Sequence, residues 1–331
     1  MSQIDFFAVG DIVTEPFIKL KEAEIIDPVS ENPKLAIRYG DKIPYESATL
    51  CRAVGNASNA AVAAARLGLS SALCAYIGDD DIGRGDLEVL TKEGVSTEFV
   101  VTERGKSSNY HYVLWFNNDR TILVKHEEYT YAVPEIPEPP KWIYLSSLAA
   151  NSLPYHQAWV SWLEAHPETK LAFQPGTFQM KLGIDALKGL YQRSELFVVN
   201  RQEAERILEK PEGTDIKELM DWIHALGPKL VVITDNTNGA YASDGTHAWH
   251  VPMYPDDREA YERTGAGDAF ASTLTAALAL GKPLEEALLW APINSMAVVQ
   301  EIGAQKGLLT REELERHLAN APESYKLDSI S

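Results

Sequence analysis

Short, nearly continuous apolar runs alternate with stretches of helical periodicity along most of this chain. That alternation narrows the folds open to it more than any other feature. Residues 6–9, 71–77, 142–145, 171–173, 196–199 and 230–233 are almost free of polar side chains, as strands covered on both faces are. Helical segments lie between them at 59–67, 82–93, 156–165, 202–208 and 215–226, with Gly68 and Gly94 as stop signals after two of them. A βαβ rhythm of this kind predicts an α/β fold: a doubly wound, mainly parallel sheet with helices on both faces.

Two regions interrupt the rhythm. Residues 11–50 carry scattered charge, prolines and short alternating pieces. Residues 110–116 and 121–126 flank the polar stretch Asn117-Asn118-Asp119-Arg120, a β-hairpin signal. We read 11–50 and 104–130 as one small β-rich lid within a single domain spanning 1–331, since no repeat or low-complexity linker divides the chain.

A chain of 331 residues with 45% hydrophobic content can bury one large α/β core. Its net charge of −18 argues against nucleic acid and anionic membrane surfaces as partners. A small anionic ligand is still admissible, because local groups can neutralise it. The most apolar window, 60–77, is broken by Arg66 and Gly68, so it reads as a helix and a strand and not as a membrane span. Two cysteines, Cys51 and Cys74, and an opening segment without a basic, apolar leader point to a reducing, cytoplasmic setting.

The chemistry is concentrated at Thr264-Gly265-Ala266-Gly267-Asp268. A helix is predicted to follow over 269–280, with Phe270, Leu274, Ala277 and Leu278 on one face and Gly281 at its end. The first turn of a helix offers free backbone N–H groups and the positive end of a dipole. Gly265 and Gly267 let a phosphate approach those groups, and Asp268 beside them can take a proton from a hydroxyl that attacks a phosphoryl group.

These residues resemble the GAGD loop of the PfkB/ribokinase-like carbohydrate kinases, and the resemblance runs from Val9-Gly10 to Gly303-Ala304. It implies ATP and Mg²⁺ as cofactors, a sugar or related polyol as acceptor, and Asp268 as the base, with Gly265, Ala266 and Gly267 forming the anion hole. It also implies a lid that closes over the substrate and that pairs two subunits in some relatives, so a homodimer through the lid is an expectation. Gly55 and Asn59 match the family's sugar-binding loop, with Val54 in place of its first glycine. Glu15 stands where relatives carry a substrate-binding aspartate after the first strand, and Asp11 is a second carboxylate beside it.

Asn200 and Glu203 fit the N-x-x-E motif that organises Mg²⁺ in the family, and they fit a plain helix-capping box equally well. Thr234, Asn236 and Gly239 are similar to the T-x-G-x-x-G turn along the nucleotide, with asparagine replacing the middle glycine; an ordinary Asn-rich turn is the alternative. The segment 294–303, then Ala304-Gln305, is similar to the family's last helix and its G-A-Q turn, and Gly303 is carried over as a nucleotide contact. Asp79, Asp80 and Asp81 read as turn and N-cap residues rather than as a metal site.

The departure lies at Glu262-Arg263, where many relatives have residues that help hold a monovalent cation. Glu262 can still offer oxygen ligands, but Arg263 puts a permanent charge there, which argues against the usual K⁺ dependence. Arg263 can instead meet phosphate or an acidic substrate, or pair with Asp257 or Glu259. A nucleoside kinase is the nearest alternative, with Tyr110, Tyr112, Trp115 and Phe116 available to stack a base. A non-catalytic sugar or nucleotide sensor is another. A Rossmann dehydrogenase is set aside, since no G-x-G-x-x-G follows the first strand.

Overall fold

The computed structural model describes residues 3–28, 33–117, 119–256 and 258–330. A ten-stranded sheet forms the centre. From one edge its strands are Val100–Glu103, Ser71–Gly78, Phe6–Val9, Trp142–Leu145, Lys170–Phe173, Ser194–Asn200 and Leu230–Thr234, all parallel. Ala240–Ser243, Ala248–Val251 and Asp328–Ser329 extend it antiparallel at the other edge.

Burial on both faces explains the uninterrupted apolar runs. Phe6 and Ala8 pack with Leu73, Trp142 and Tyr144 beneath the helices Asn56–Arg66, Ala266–Ala279 and Leu284–Val298. Phe7 and Val9 point the other way, to Ile143, Leu145 and the helices Leu153–Ala165, Ile184–Arg193 and Ile216–Leu226.

Phe6–Val9 is where the winding reverses. Its neighbours are Ser71–Gly78 on one side and Trp142–Leu145 on the other, so the loops at their carboxyl ends diverge and leave a crevice. Gly10 closes the strand where a Cβ would overlap both Ala57 and the Ser147 carbonyl. The Asn56–Arg66 helix buries Ala57 through Ala64 without a break, and it packs on the small-residue face of Ala266–Ala279. Small side chains on both helices let the backbones approach closely, which brings Asn59 within reach of Asp268.

The two irregular regions join in one four-stranded sheet over the crevice. Val13–Leu20 pairs antiparallel with Tyr45–Val54 and parallel with Tyr112–Phe116, which in turn pairs antiparallel with Asp119–Leu123. A separate short hairpin, Glu24–Ile26 with Lys34–Ala36, extends from the first of these regions. The base of the lid is tied to the Asp81–Lys92 helix by Asp86, whose Oδ1 accepts from Thr14 Oγ1 at 2.6 Å and from the Ala53 N–H at 2.8 Å.

Two expectations need correction. The hairpin turn is shorter than the sequence suggested, because Phe116 pairs directly with Asp119 and Asn117 takes φ +55. Asp119 and Arg120 are therefore strand residues, and Asn118 lies outside the described residues. The segment from Asn294 is not the last helix: it ends Leu284–Val298, and Arg311–Ala319 follows. That helix escapes a periodicity test because it is buried on several sides and carries Pro292 in its interior.

Other readings hold at the level of single residues. Asp80 caps the 81–92 helix through Gly83 N and also accepts from Ser108 N and Oγ, the turn-and-cap role expected of it. Gly281 takes φ +78 beyond the Ala266–Ala279 helix. Among the described residues no helix is long and apolar enough to cross a membrane.

Candidate active site

The Ala266–Ala279 helix begins at Gly265, which takes φ +84. A Cβ there would overlap Ala304, so only glycine lets the turn after Gly303 close against the helix start. A Cβ on Gly267 would meet nothing within 4 Å, so the first turn opens onto free space. The N–H groups of that turn have no intrahelical acceptor.

Asp268 lies in the same turn, and two amides hold it. Asn59 Nδ2 donates to its Oδ2 at 2.9 Å, and Gln174 Nε2 donates to its Oδ1 at 3.3 Å. Both amides are themselves oriented. Gln305 Nε2 donates to Asn59 Oδ1 at 3.0 Å, and the Tyr144 hydroxyl donates to Gln174 Oε1. Burial pushes the Asp268 carboxyl up to about 6 against the opposing effect of the Asn59 and Gln174 hydrogen bonds, and the charge of Glu15 adds to the rise.

A cavity of about 300 Å³ opens beside Asp268. Of the residues singled out in the sequence, Glu15, Gly55, Asn59, Asn200, Glu203, Thr234, Gly265, Gly267 and Asp268 line it. Several of them stand at carboxyl ends of parallel strands, as a ligand crevice in a doubly wound sheet requires. Asp11, Ala266, Asn236, Gly239 and Gly303 are not among its lining residues. Gly239 packs against the Val251 carbonyl, and Gly303 closes over Cys51. Asn236 does adopt the left-handed conformation its position demands, with φ +48.

Asn200 and Glu203 form a reciprocal capping box. Asn200 Oδ1 accepts from Glu203 N at 2.8 Å, and Glu203 Oε2 accepts from Asn200 N at 2.9 Å. Burial raises the Glu203 pKa, against the Asn200 backbone hydrogen bond, and the nearby charge of Asp268 raises it further. Among the described residues no group of three or more His, Cys, Asp or Glu side chains could hold a metal ion.

At the lid end the two carboxylates that follow the first strand, Asp11 and Glu15, meet histidines that the sequence reading did not single out. Glu15 Oε1 is 3.2 Å from His111 Nδ1, and Asp11 Oδ2 is 3.4 Å from His126 Nδ1. Asp11 Oδ1 also accepts from the Tyr131 hydroxyl at 2.7 Å, so its carboxylate faces the lid base and not the cavity. Glu262 is buried, and its Oε1 accepts from Thr264 N and Oγ1 at 2.9 and 2.6 Å while its Oε2 has no partner.

Arg263 lines the cavity and makes no ion pair with Glu259; Asp257 lies outside the described residues. Arg120 and Ile122 of the lid also line it, and neither was anticipated. None of the aromatic residues Tyr110, Tyr112, Trp115 and Phe116 lines it, and Trp115 stacks edge-on against Tyr261 instead. A signal for Gln174 was available, since it directly follows a parallel strand. His111, His126 and Arg120 come from distant segments and carry no local motif, whereas Gln305 stands in the Gly303-Ala304-Gln305 turn.

A model of the pfkB family carbohydrate kinases matches residues 19–311. A sugar kinase of Archaeoglobus fulgidus is 25% identical over 249 residues, covering 73% of this chain and 96% of that protein. The ribokinase of Bacillus subtilis is 29% identical over 273 residues, 80% of this chain and 87% of that one. Arabidopsis thaliana ribokinase, solved in complex with ribose and ATP, shares the fold with a TM-score of 0.77 at 19% identity, covering 96% and 99% of the two chains.

Proposed function

The chain belongs to the pfkB family of carbohydrate kinases, and we propose that it transfers a phosphoryl group from ATP to a hydroxyl of a sugar or related polyol, with Asp268 as the general base. The observation that carries this reading is the placement of Asp268. It stands in the first turn of a helix, beside two glycines, with both oxygens fixed by oriented amides. A carboxyl pushed up to about 6 is ionised at neutral pH yet basic enough to accept a proton from the attacking hydroxyl.

When bound, ATP supplies the phosphoryl group, and Mg²⁺ neutralises charge on its phosphate oxygens. The residues present suit both. The open space over Gly267 leaves the first-turn N–H groups of Gly265, Ala266 and Gly267 free to meet phosphate oxygens. Glu203, with one oxygen used in the capping box, would hold Mg²⁺ through the other and water, and Asn200 keeps it in place; Mg²⁺ commonly takes one or two protein carboxylates and keeps several waters. Thr234 lines the same end, and we assign Asn200, Thr234, Asn236, Gly239 and Gly303 to the nucleotide side, the last three through the turns they shape.

Glu15, Gly55 and Asn59 orient the acceptor, and Asp11 contributes by holding Tyr131 and His126 at the lid base. The four-stranded sheet acts as a lid that excludes water while the proton moves to Asp268. Apolar residues such as Leu50, Leu123 and Val124 are exposed on the lid, and we assign them to a homodimer contact.

The test is a coupled ADP-release assay with Mg·ATP against sugars, sugar acids and nucleosides, run beside Asp268→Asn. Turnover on a panel member is expected to fall by about 10²–10⁴ in the variant. Near-normal turnover by Asp268→Asn would remove Asp268 from the role.

A further inference from the structure

We propose that the acceptor carries an anionic group, a carboxylate or a phosphate ester, and that Arg120 receives it; this rests on the kinase reading above. Arg120 belongs to the lid strand Asp119–Leu123, where Arg120 and Ile122 are the half-buried alternates between exposed neighbours. Period-two alternation therefore turns both toward the cavity, and both line it together with Glu15 and Gly55, the acceptor side.

Among the described residues the Arg120 guanidinium finds ion pairs but no side-chain hydrogen bond. Its Nε is buried with no hydrogen-bond partner. It makes two loose ion pairs, Nε with Glu262 Oε1 and Nη1 with Asp119 Oδ1, each at 3.8 Å and so beyond hydrogen-bond length. Glu262 Oε1 already accepts from Thr264 N and Oγ1, and the Asp119 side chain is 92% exposed to solvent.

A neutral polyol gives a permanent cation little to do there. Asn56, Asn59, Gln174 and Glu15 already line the cavity with the donors and acceptors that hydroxyls need. A planar fork of N–H donors matches a carboxylate or phosphate far better than it matches a hydroxyl. The phosphates of the donor have the first-turn N–H groups for partners, whereas Arg120 reaches the cavity from the lid. Arg263, exposed and also lining the cavity, adds a second cation. In a chain of net charge −18, an anionic acceptor must be captured by such local cations, against the overall field.

The experiment compares matched acceptors on the full chain: neutral sugars and polyols, the corresponding sugar acids, and the corresponding monophosphates. Titration calorimetry reads binding and ADP release reads turnover, for the natural chain, Arg120→Gln and Arg120→Lys. We expect either the acid or the phosphate arm to exceed its neutral counterpart by about tenfold or more in kcat/KM, the better arm naming the group. Arg120→Gln is expected to abolish that preference through acceptor KM with ATP KM unchanged, and Arg120→Lys to keep part of it.

Neutral sugars that serve equally well would overturn the inference and leave the kinase reading intact. So would an Arg120→Gln variant in which ATP KM rises while acceptor KM stays put, because the arginine would then serve the donor. If no acceptor is turned over, the kinase reading fails and calorimetry still decides. Tighter binding of anionic over neutral ligands, lost in Arg120→Gln, sustains the inference; equal or absent binding overturns it.

Discussion

Gln305 fixes the orientation of Asn59. Its Nε2 donates to Asn59 Oδ1 at 3.0 Å and to the Ala53 carbonyl at 2.6 Å, which leaves Asn59 Nδ2 aimed at Asp268. Without Gln305 the Asn59 amide is free to flip and turn its oxygen toward the carboxylate. Gln305→Leu is expected to lower kcat by about tenfold, the scale of one lost hydrogen bond to a charged group. The same variant should move the acid limb of the pH profile upward, a change that damage to packing alone would not cause.

Activity should fall on the acid side as Asp268 takes up a proton. With its carboxyl pushed up to about 6, kcat/KM is expected to drop tenfold per pH unit below that value and to level off above it. A kinetic pKa near that of an ordinary aspartate would mean that Asp268 is not the group that titrates.

The same shift has a stability consequence of opposite sign to the usual aspartate. The folded-state pKa of Asp268 is raised from 3.8 to about 6, so folding favours the neutral carboxyl and stability is lost as pH rises through that interval. Asp268→Asn removes the ionisation but leaves one amide facing a donor. Relative to the natural chain, its stability is expected to rise by about 2–3 kcal/mol between pH 4 and pH 7. Chemical denaturation of both chains at the two pH values measures it.

Asn236 tests the turn after Leu230–Thr234. Its φ of +48 is tolerated by asparagine and glycine and resisted by β-branched residues. Asn236→Gly should leave the melting temperature nearly unchanged, while Asn236→Val should lower stability by about 1–2 kcal/mol. Equal effects from the two would show that the backbone at this position relaxes at no cost.

Leu50 and Leu123 are exposed on the lid by 48% and 52%. If they meet a second copy, sedimentation should give twice the chain mass for the natural protein. Leu50→Glu combined with Leu123→Glu should give the single-chain mass without loss of the far-ultraviolet signal. A natural chain that sediments as a monomer at assay concentration removes the proposed contact.

The core strands were legible because their environment leaves one compositional solution. Phe6–Val9 and Trp142–Leu145 are covered on both faces, so their boundaries follow directly from apolarity. Leu284–Val298 was hidden for a related reason: burial of Leu288, Trp290, Ile293 and Met296 spreads apolar residues around the helix and erases the stripe that reveals one. Within the site, Gly265, Gly267 and Asp268 were readable because they are neighbours in the chain and answer to one local geometry. Arg120 meets the cavity and Gln305 meets Asn59 through the packing of distant segments; Gln174 follows a strand and Gln305 stands in a recognisable turn, but neither position tells which side chain it will reach. Asp11 is the opposite case: it is close to Glu15 in sequence, while the fold turns its carboxylate to Tyr131.

The lid sheet is assembled from two stretches of chain with the core strands Ser71–Gly78 and Val100–Glu103 running between them. Its central seam, Phe17 beside Val113, is a parallel pairing that no tight turn can nucleate. During synthesis the Val13–Leu20 and Tyr45–Val54 strands must therefore wait with one edge bare until the later hairpin emerges. The same stitching means that the lid cannot be cut out or grafted onto another scaffold as one continuous segment. Swapping it between relatives would require two simultaneous replacements joined across a core that neither contains.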